Sequence, residues 1–211
     1  MYFIGEILSF FVFLFVSSID IKLLNKKEII KVSISYLKRY YNILNFIIIF
    51  LVNLYFIYLF LNNDILYMIN LLCFLCIYIC ALTDIFCKNI FLNIIMMFSL
   101  PILLLNIYGN YSIISFFGLI SGMILFGSIY SISKIIYGME VFGTGDIYVL
   151  SFIGFSSDWY TVIYIGLFTF IIAGIFYLVK ILIVRNFKKL KHYEIPLVPF
   201  ILISYLIIIY F

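Results

Sequence analysis

Charge is what this chain has least of. Only 10% of its 211 residues are Asp, Glu, Lys or Arg, against 67% in the hydrophobic set. A soluble domain carries about 25% charged and roughly 45–50% apolar residues. So little polar surface does not coat a globule in water, which excludes a soluble fold. Intrinsic disorder is excluded by the opposite excess, because 25 Phe and 19 Tyr bring far more apolar surface than a disordered chain carries. Histidine is reduced to His192, which stands among Lys188, Lys189 and Lys191 and reads as a solvated loop residue. That excludes a His-Glu-x-x-His metalloprotease, which needs two histidines, and a serine-histidine hydrolase, which needs its histidine against a nucleophile. No glycine-rich stretch ends in Lys-Ser or Lys-Thr, and no dinucleotide fingerprint is present. Cysteine is limited to four residues. Cys73, Cys76 and Cys80 recur at i, i+3 and i+7, on one stripe of a helix, and Cys87 follows. Without a second ligand pair they read as small apolar packing residues, so neither a metal site nor a disulfide is expected.

Long apolar runs are what the chain has in place of charge. Breaking it at its polar positions leaves eight: Tyr2–Ser18, Ile43–Leu61, Ile65–Thr83, Ile90–Asn106, Ser112–Ser133, Ile147–Phe155, Tyr160–Val184 and Pro196–Phe211. About 20 residues of helix cover the roughly 30 Å hydrocarbon core, so Ile147–Phe155 is too short to cross alone. The 38 residues from Ile147 to Val184 suffice for two short crossings with a turn at Ser156, Ser157 and Asp158. The expected fold is therefore an all-α polytopic membrane protein of about eight transmembrane helices. Met1 runs into Tyr2–Val16 with no basic segment before it and no small-residue cleavage site after it, so this stretch is expected to be a retained helix.

Orientation follows from the basic residues. Lys22, Lys26, Lys27, Lys31, Lys38 and Arg39 lie in the segment Ile19–Asn42, Lys88 follows Thr83, and Lys134 precedes Gly138. Lys180, Arg185, Lys188, Lys189 and Lys191 precede Pro196. With eight crossings all thirteen Lys and Arg fall on alternate loops, and the opposite side has none. The positive-inside rule then predicts four basic cytoplasmic loops and both termini outside, a multi-pass arrangement in the cell (inner) membrane. The net charge of +4 expresses this asymmetry, with anionic membrane lipid as the expected contact. A nucleic-acid partner is not expected, because the basic residues are split among four loops with no binding motif between them.

Nine carboxylates remain: Glu6, Asp20, Glu28, Asp64, Asp84, Glu140, Asp146, Asp158 and Glu194. Asp20, Glu28, Asp64, Asp158 and Glu194 fall at surface loops and turns. Glu6, Asp84, Glu140 and Asp146 adjoin or enter apolar runs, where a carboxylate is costly and is by default a functional candidate. Glu6 lies near the outer end of the first helix; the other three belong to the cytoplasmic side. Asp84 is expected to end the third helix, in Ile79-Cys80-Ala81-Leu82-Thr83-Asp84, and Asp146 to begin the sixth, in Gly143-Thr144-Gly145-Asp146-Ile147. A sixth helix of only about 12 residues covers roughly 18 Å, which leaves Asp146 recessed below the cytoplasmic surface. Non-helical backbone at that depth requires protein burial or a wet cavity, and glycines suit it.

The segment Gly138-Met139-Glu140-Val141-Phe142-Gly143-Thr144-Gly145-Asp146 resembles the G-x-E-x-x-G-x-G-D element of the type IV prepilin peptidases, GxGD aspartyl proteases of the membrane. Asp84 stands where that family has its other aspartate, and Ile195-Pro196 before the last helix is also similar. The resemblance covers most of the chain. It implies one integral-membrane peptidase domain over residues 1–211, with residues 1–62 holding the first two helices and a shortened loop and residues 63–211 the peptidase core. It further implies an aspartic-type endopeptidase that removes the basic leader of prepilin or pseudopilin substrates of type IV pilus assembly and protein secretion. Asp84 and Asp146 are then catalytic, Gly143 and Gly145 admit the substrate backbone, and Thr144, Glu140 and Gly138 support the site. Departures from the family pattern are Tyr148, where the family commonly has Lys, and Ile90-Phe91, where it has Ile-Pro. Segment Ile19–Asn42 lacks the two Cys-x-x-Cys pairs of a zinc-binding loop, leaving Ser35 and Arg39-Tyr40. Proteolysis of this kind needs no cofactor, and methylation of the new N-terminus from S-adenosylmethionine is not expected where that region is so short. Two other readings of the same acids stand beside this one. The first is a transporter or assembly subunit relaying protons or cations, for which inverted repeats are not evident. The second is a presenilin-like intramembrane protease, although Thr83 stands where that group has Tyr before the first aspartate.

Overall fold

The computed structural model describes residues 2–24, 34–138, 143–184 and 196–210, and within them the chain is helical apart from short connections. Eight α-helices occur among the described residues: α1 (Tyr2–Leu24), α2 (Ile34–Leu59), α3 (Asp64–Cys87), α4 (Leu92–Tyr108), α5 (Ser112–Tyr137), α6 (Thr144–Ser156), α7 (Trp159–Val184) and α8 (Val198–Tyr210). No strand is present among these residues, as expected where unpaired backbone has no water to bond. Four segments are long and apolar enough to cross a membrane: Asn42–Leu59, Asp64–Cys87, Ser112–Ile136 and Trp159–Ile183. Tyr2–Leu14, Leu92–Tyr108 and Val198–Ile209 are apolar but shorter.

The helices extend beyond the apolar runs. α1 continues past Ser18 to Leu24, and α2 starts at Ile34, nine residues before the apolar run begins at Ile43. Ser35, Lys38, Arg39 and Tyr40 are therefore helical, where a loop is expected from charge alone. Lys and Arg are good helix formers, and segment Ile19–Asn42 holds neither Gly nor Pro. The third helix likewise does not end at Asp84. It runs one turn further to Cys87, where the Lys88 N–H bonds the Asp84 carbonyl at 3.0 Å and Lys88 itself turns left-handed (φ 54°). The α6–α7 turn shortens to Ser157 and Asp158.

The chain divides into two compact units, Met1–Leu75 and Cys76–Phe211, the division falling inside α3. In the first, polar side chains join the helices where lipid supplies no hydrophobic drive between them. The Tyr67 hydroxyl donates to Asn53 Oδ1 at 2.7 Å, Asn53 Nδ2 donates to Ser9 Oγ at 3.4 Å, and Ser9 returns its hydroxyl to the Gly5 carbonyl at 2.8 Å. Tyr67, Asn53 and Ser9 are all buried. Phe13 against Phe46 and Phe56 against Phe74 add edge-on ring contacts at 5.3 and 5.9 Å between centroids.

In the second unit α6 packs against α4, α5, α7 and α8. Its closest neighbour is α5, and glycine makes the approach possible. A Cβ on Gly154 would meet the Gly118 carbonyl oxygen, a Cβ on Gly118 would meet that of Gly154, and one on Gly122 would lie 2.7 Å from the Leu150 carbonyl. Gly118 and Gly122 form a small-x-x-x-small pair that lets two backbones touch. Asn106 of α4 donates from Nδ2 to the Phe155 carbonyl at 2.9 Å, fixing the other end of α6. Ser157 and Asp158 then turn the chain into α7, where the Asp158 carboxylate accepts the Thr161 hydroxyl. α6 is thus held along its length by backbone contact and by Asn106, which positions its first turn.

Candidate functional site

That first turn carries Asp146. Gly143 is the N-cap residue and Asp146 the third helical residue, so its carboxylate reaches back to the start of its own helix. Oδ2 accepts the Gly143 N–H at 3.2 Å, while the Asp146 N–H donates to the Gly143 carbonyl at 3.2 Å. This is half of a capping box, the other half being absent because glycine has no side chain. Asp146 is only 6% exposed.

Asp84, 8% exposed, lies in the last turn of α3. Its Oδ2 accepts the Val198 N–H at 3.1 Å, so it caps a helix that begins 114 residues later. Each of the two buried aspartates therefore accepts a backbone N–H at a helix N-terminus, Asp146 at α6 and Asp84 at α8. The positive end of a helix dipole favours a carboxylate there. The two carboxyls also lie within electrostatic reach of one another. Gly145 brings their segments together: a Cβ on it would sit 2.7 Å from Ile90 Cδ1 and 2.9 Å from Ile90 Cβ, so the first turn of α6 lies directly on the connection that leaves α3.

The other expected site residues separate by position. Gly143 is exposed and extended (φ −73°), and among the described residues a Cβ there would find its nearest atom, Asp146 Oδ2, at 3.9 Å. Thr144 is exposed at the first position of α6. Gly138 is left-handed (φ 63°) and donates its N–H to the Lys134 carbonyl at 3.1 Å, which makes it the C-cap of α5. Its glycine is explained by that conformation. Glu140 and His192 lie outside the described residues. Thr83 is buried and bonds the Cys80 carbonyl at 3.0 Å, and Tyr148 is exposed. Cys73, Cys76 and Cys80 are buried on α3, with Cys87 half-buried. Among the described residues no three His, Cys, Asp or Glu side chains converge as a metal site would require.

Two features escape a reading of the sequence alone: the Val198 N–H as the partner of Asp84, and Ile90 as the neighbour of Gly145. The glycine contact of α5 with α6 does have a sequence signal, the Gly118-x-x-x-Gly122 spacing. Chemically the arrangement offers two buried carboxyls, each accepting a backbone N–H at a helix N-terminus. No protein-family model matches the chain, and searches of curated proteins and of solved structures return no match.

Proposed function

We propose that this chain is a membrane aspartyl endopeptidase of the type IV prepilin peptidase kind, with Asp84 and Asp146 as its catalytic residues. The observation that carries the reading is that these two buried carboxyls, one near the end of α3 and one at the start of α6, lie within electrostatic reach of one another, Asp146 closing the pattern from Gly138 that resembles that family's motif. Buried carboxyls in a membrane protein are costly, and two of them kept in each other's field call for a chemical role.

The reaction is hydrolysis of one peptide bond. Two neighbouring carboxyls do not both ionise cheaply, so the pair holds a single proton. The ionised carboxylate takes a proton from water, whose oxygen attacks the scissile carbonyl, while the protonated partner donates to the carbonyl oxygen. Collapse of the tetrahedral intermediate breaks the C–N bond and passes a proton to the leaving amine. Gly143 leaves room for substrate backbone, Gly145 lets the first turn of α6 close on Ile90, Thr144 and Gly138 support the site, and Glu140 meets the basic leader. No cofactor takes part, and methylation from S-adenosylmethionine is not included.

Topology fits a cytoplasm-facing recess. α6 and α8 each have 13 residues and so are about 20 Å long, against a hydrocarbon core of roughly 30 Å. If both reach the outer interface, their N-termini lie about 10 Å inside the cytoplasmic boundary, with Asp146 and Asp84 at that level. All eight helices then cross the cell (inner) membrane, both termini are outside, the basic loops are cytoplasmic and contact anionic lipid, and residues 1–211 act as one peptidase domain. Substrates are prepilin or pseudopilin helices carrying a short basic leader. The test is processing of a co-expressed prepilin, which Asp84→Asn and Asp146→Asn should each abolish. Cleavage retained in either variant contradicts the mechanism.

A further inference from the structure

The bond between Asp84 and α8 joins elements that are far apart in sequence, and the chemistry of the α8 N-terminus leaves it few alternatives. Leu197 caps this helix, because the N–H groups of Phe200 and Ile201 both bond its carbonyl, at 3.0 and 3.2 Å. An apolar side chain at that position cannot accept a hydrogen bond from the first turn. Pro199, the second helical residue, has no N–H. Val198 is therefore the first-turn donor left over, and it is fully buried (0% exposed), where an unmet N–H finds no water. Asp84 Oδ2 takes that bond at 3.1 Å, and the Leu197 N–H acts on the same carboxyl.

We propose that the Val198 N–H is a positioning group for the reaction: it sets the rotation of the Asp84 carboxyl and so the direction in which its other oxygen faces Asp146 and the substrate. This rests on the reading of Asp84 and Asp146 as the catalytic pair. An aspartate has two side-chain torsions, and the α3 backbone fixes only where they start. One directed bond to Oδ2 removes the freedom about Cβ–Cγ, and orientation of this kind carries a large share of catalytic rate. The donor comes from α8, which packs on α6 and α7, so the carboxyl is referenced to the same frame that holds Asp146.

Val198→Pro deletes the N–H but also sets its ring Cδ where the hydrogen pointed, toward Asp84 Oδ2, so an ester analogue at the same position separates loss of the bond from that added bulk. Proline is accepted at the first position of a helix, where its fixed φ suits the turn, and its ring is close to valine in volume. Val198→Ala keeps the N–H and removes the side-chain packing instead. With the full-length protein in lipid nanodiscs and a purified prepilin, Val198→Pro is expected to lower kcat about tenfold to a hundredfold with KM within about twofold, while Val198→Ala stays near wild type. The α-hydroxy analogue of valine at position 198, which replaces the amide N–H by an ester oxygen, should reproduce the loss and serves if the proline variant does not fold. Thermal unfolding supplies an independent readout. Val198→Pro should lower the midpoint of the wild-type protein but not lower it further in an Asp84→Ala background. Wild-type kcat in the ester protein overturns the proposal whatever the proline variant shows, as does equal loss in Val198→Ala, which marks a packing role. Additive midpoint shifts overturn the contact itself. Wild-type protein that leaves prepilin intact refutes the proposed function instead, and the unfolding experiment still decides whether this N–H and carboxylate are partners.

Discussion

Gly145→Ala adds one methyl group at the point where α6 meets the connection leaving α3. The new carbon would lie 2.7 Å from Ile90 Cδ1 and 2.9 Å from Ile90 Cβ. Carbon atoms in contact are comfortable at about 3.5–4.0 Å, so roughly 1 Å of separation must be found. Ile90 Cδ1 can rotate away, but its Cβ is tied to the backbone, and part of the displacement falls on the first turn of α6. Two stability terms oppose each other: overpacking costs about 1–3 kcal/mol, and exchange of Gly for Ala within a helix returns up to about 1 kcal/mol. The net loss of stability is thus about 0–3 kcal/mol, which the fold survives. Rate is the sensitive quantity, because Asp146 is the next residue and a misplacement of about 1 Å costs on the order of a hundredfold. Initial rates of prepilin cleavage by purified protein in liposomes should fall by about that factor. Adding Ile90→Ala removes Cγ1 and Cδ1 but leaves Cβ, so the double variant should recover part of the rate, about tenfold. Wild-type rates in Gly145→Ala, or a loss that Ile90→Ala does not relieve, would refute the reasoning.

Gly143→Ala meets nothing nearer than 3.9 Å among the described residues and needs no special φ, so its thermal midpoint should match wild type; a raised KM would mark the approach of substrate backbone, and a lowered midpoint would contradict the geometry. Asp84→Ala strands the buried Val198 N–H and should lose about 1–3 kcal/mol in denaturant unfolding, whereas Asp84→Asn keeps an acceptor and most of the stability. Equal losses in the two would show that the bond to α8 contributes nothing. Gly154→Ala drives a methyl into the Gly118 carbonyl, which has no side chain to move aside, and should cost about 1–3 kcal/mol; an unchanged thermal midpoint would mean that α5 and α6 do not make this contact.

Much of the architecture is legible in composition and spacing, because a membrane imposes length and hydrophobicity on each helix. The apolar runs beginning at Ile65, Ile90 and Ser112 mark α3, α4 and α5 to within a few residues at their starts. Helix ends are less legible. α2 begins at Ile34 because residues 34–42 hold no Gly or Pro to break it, and α3 continues past Asp84 through Ile85, Phe86 and Cys87 until Lys88 turns left-handed. The two aspartates stand out in the sequence through their cost in apolar surroundings. Their fixings do not: nothing at position 84 announces a partner at 198, since a backbone N–H leaves no mark in the residue code. Gly143 and Gly145 look alike in the motif, yet only Gly145 lies where a side chain would collide. Gly138, grouped with them by spacing, serves a left-handed helix end. Spacing reports that glycine is present, and packing decides what it is for.

The most direct measurement is the mass of a purified prepilin before and after incubation with this protein in liposomes, alongside the Asp84→Asn and Asp146→Asn variants. Expected with wild type is a product shortened by the basic leader and carrying no added methyl group, even with S-adenosylmethionine present, and expected with each variant is the intact precursor. An intact precursor after exposure to wild type, or leader removal by either variant, would contradict the assignment of Asp84 and Asp146 as the catalytic pair.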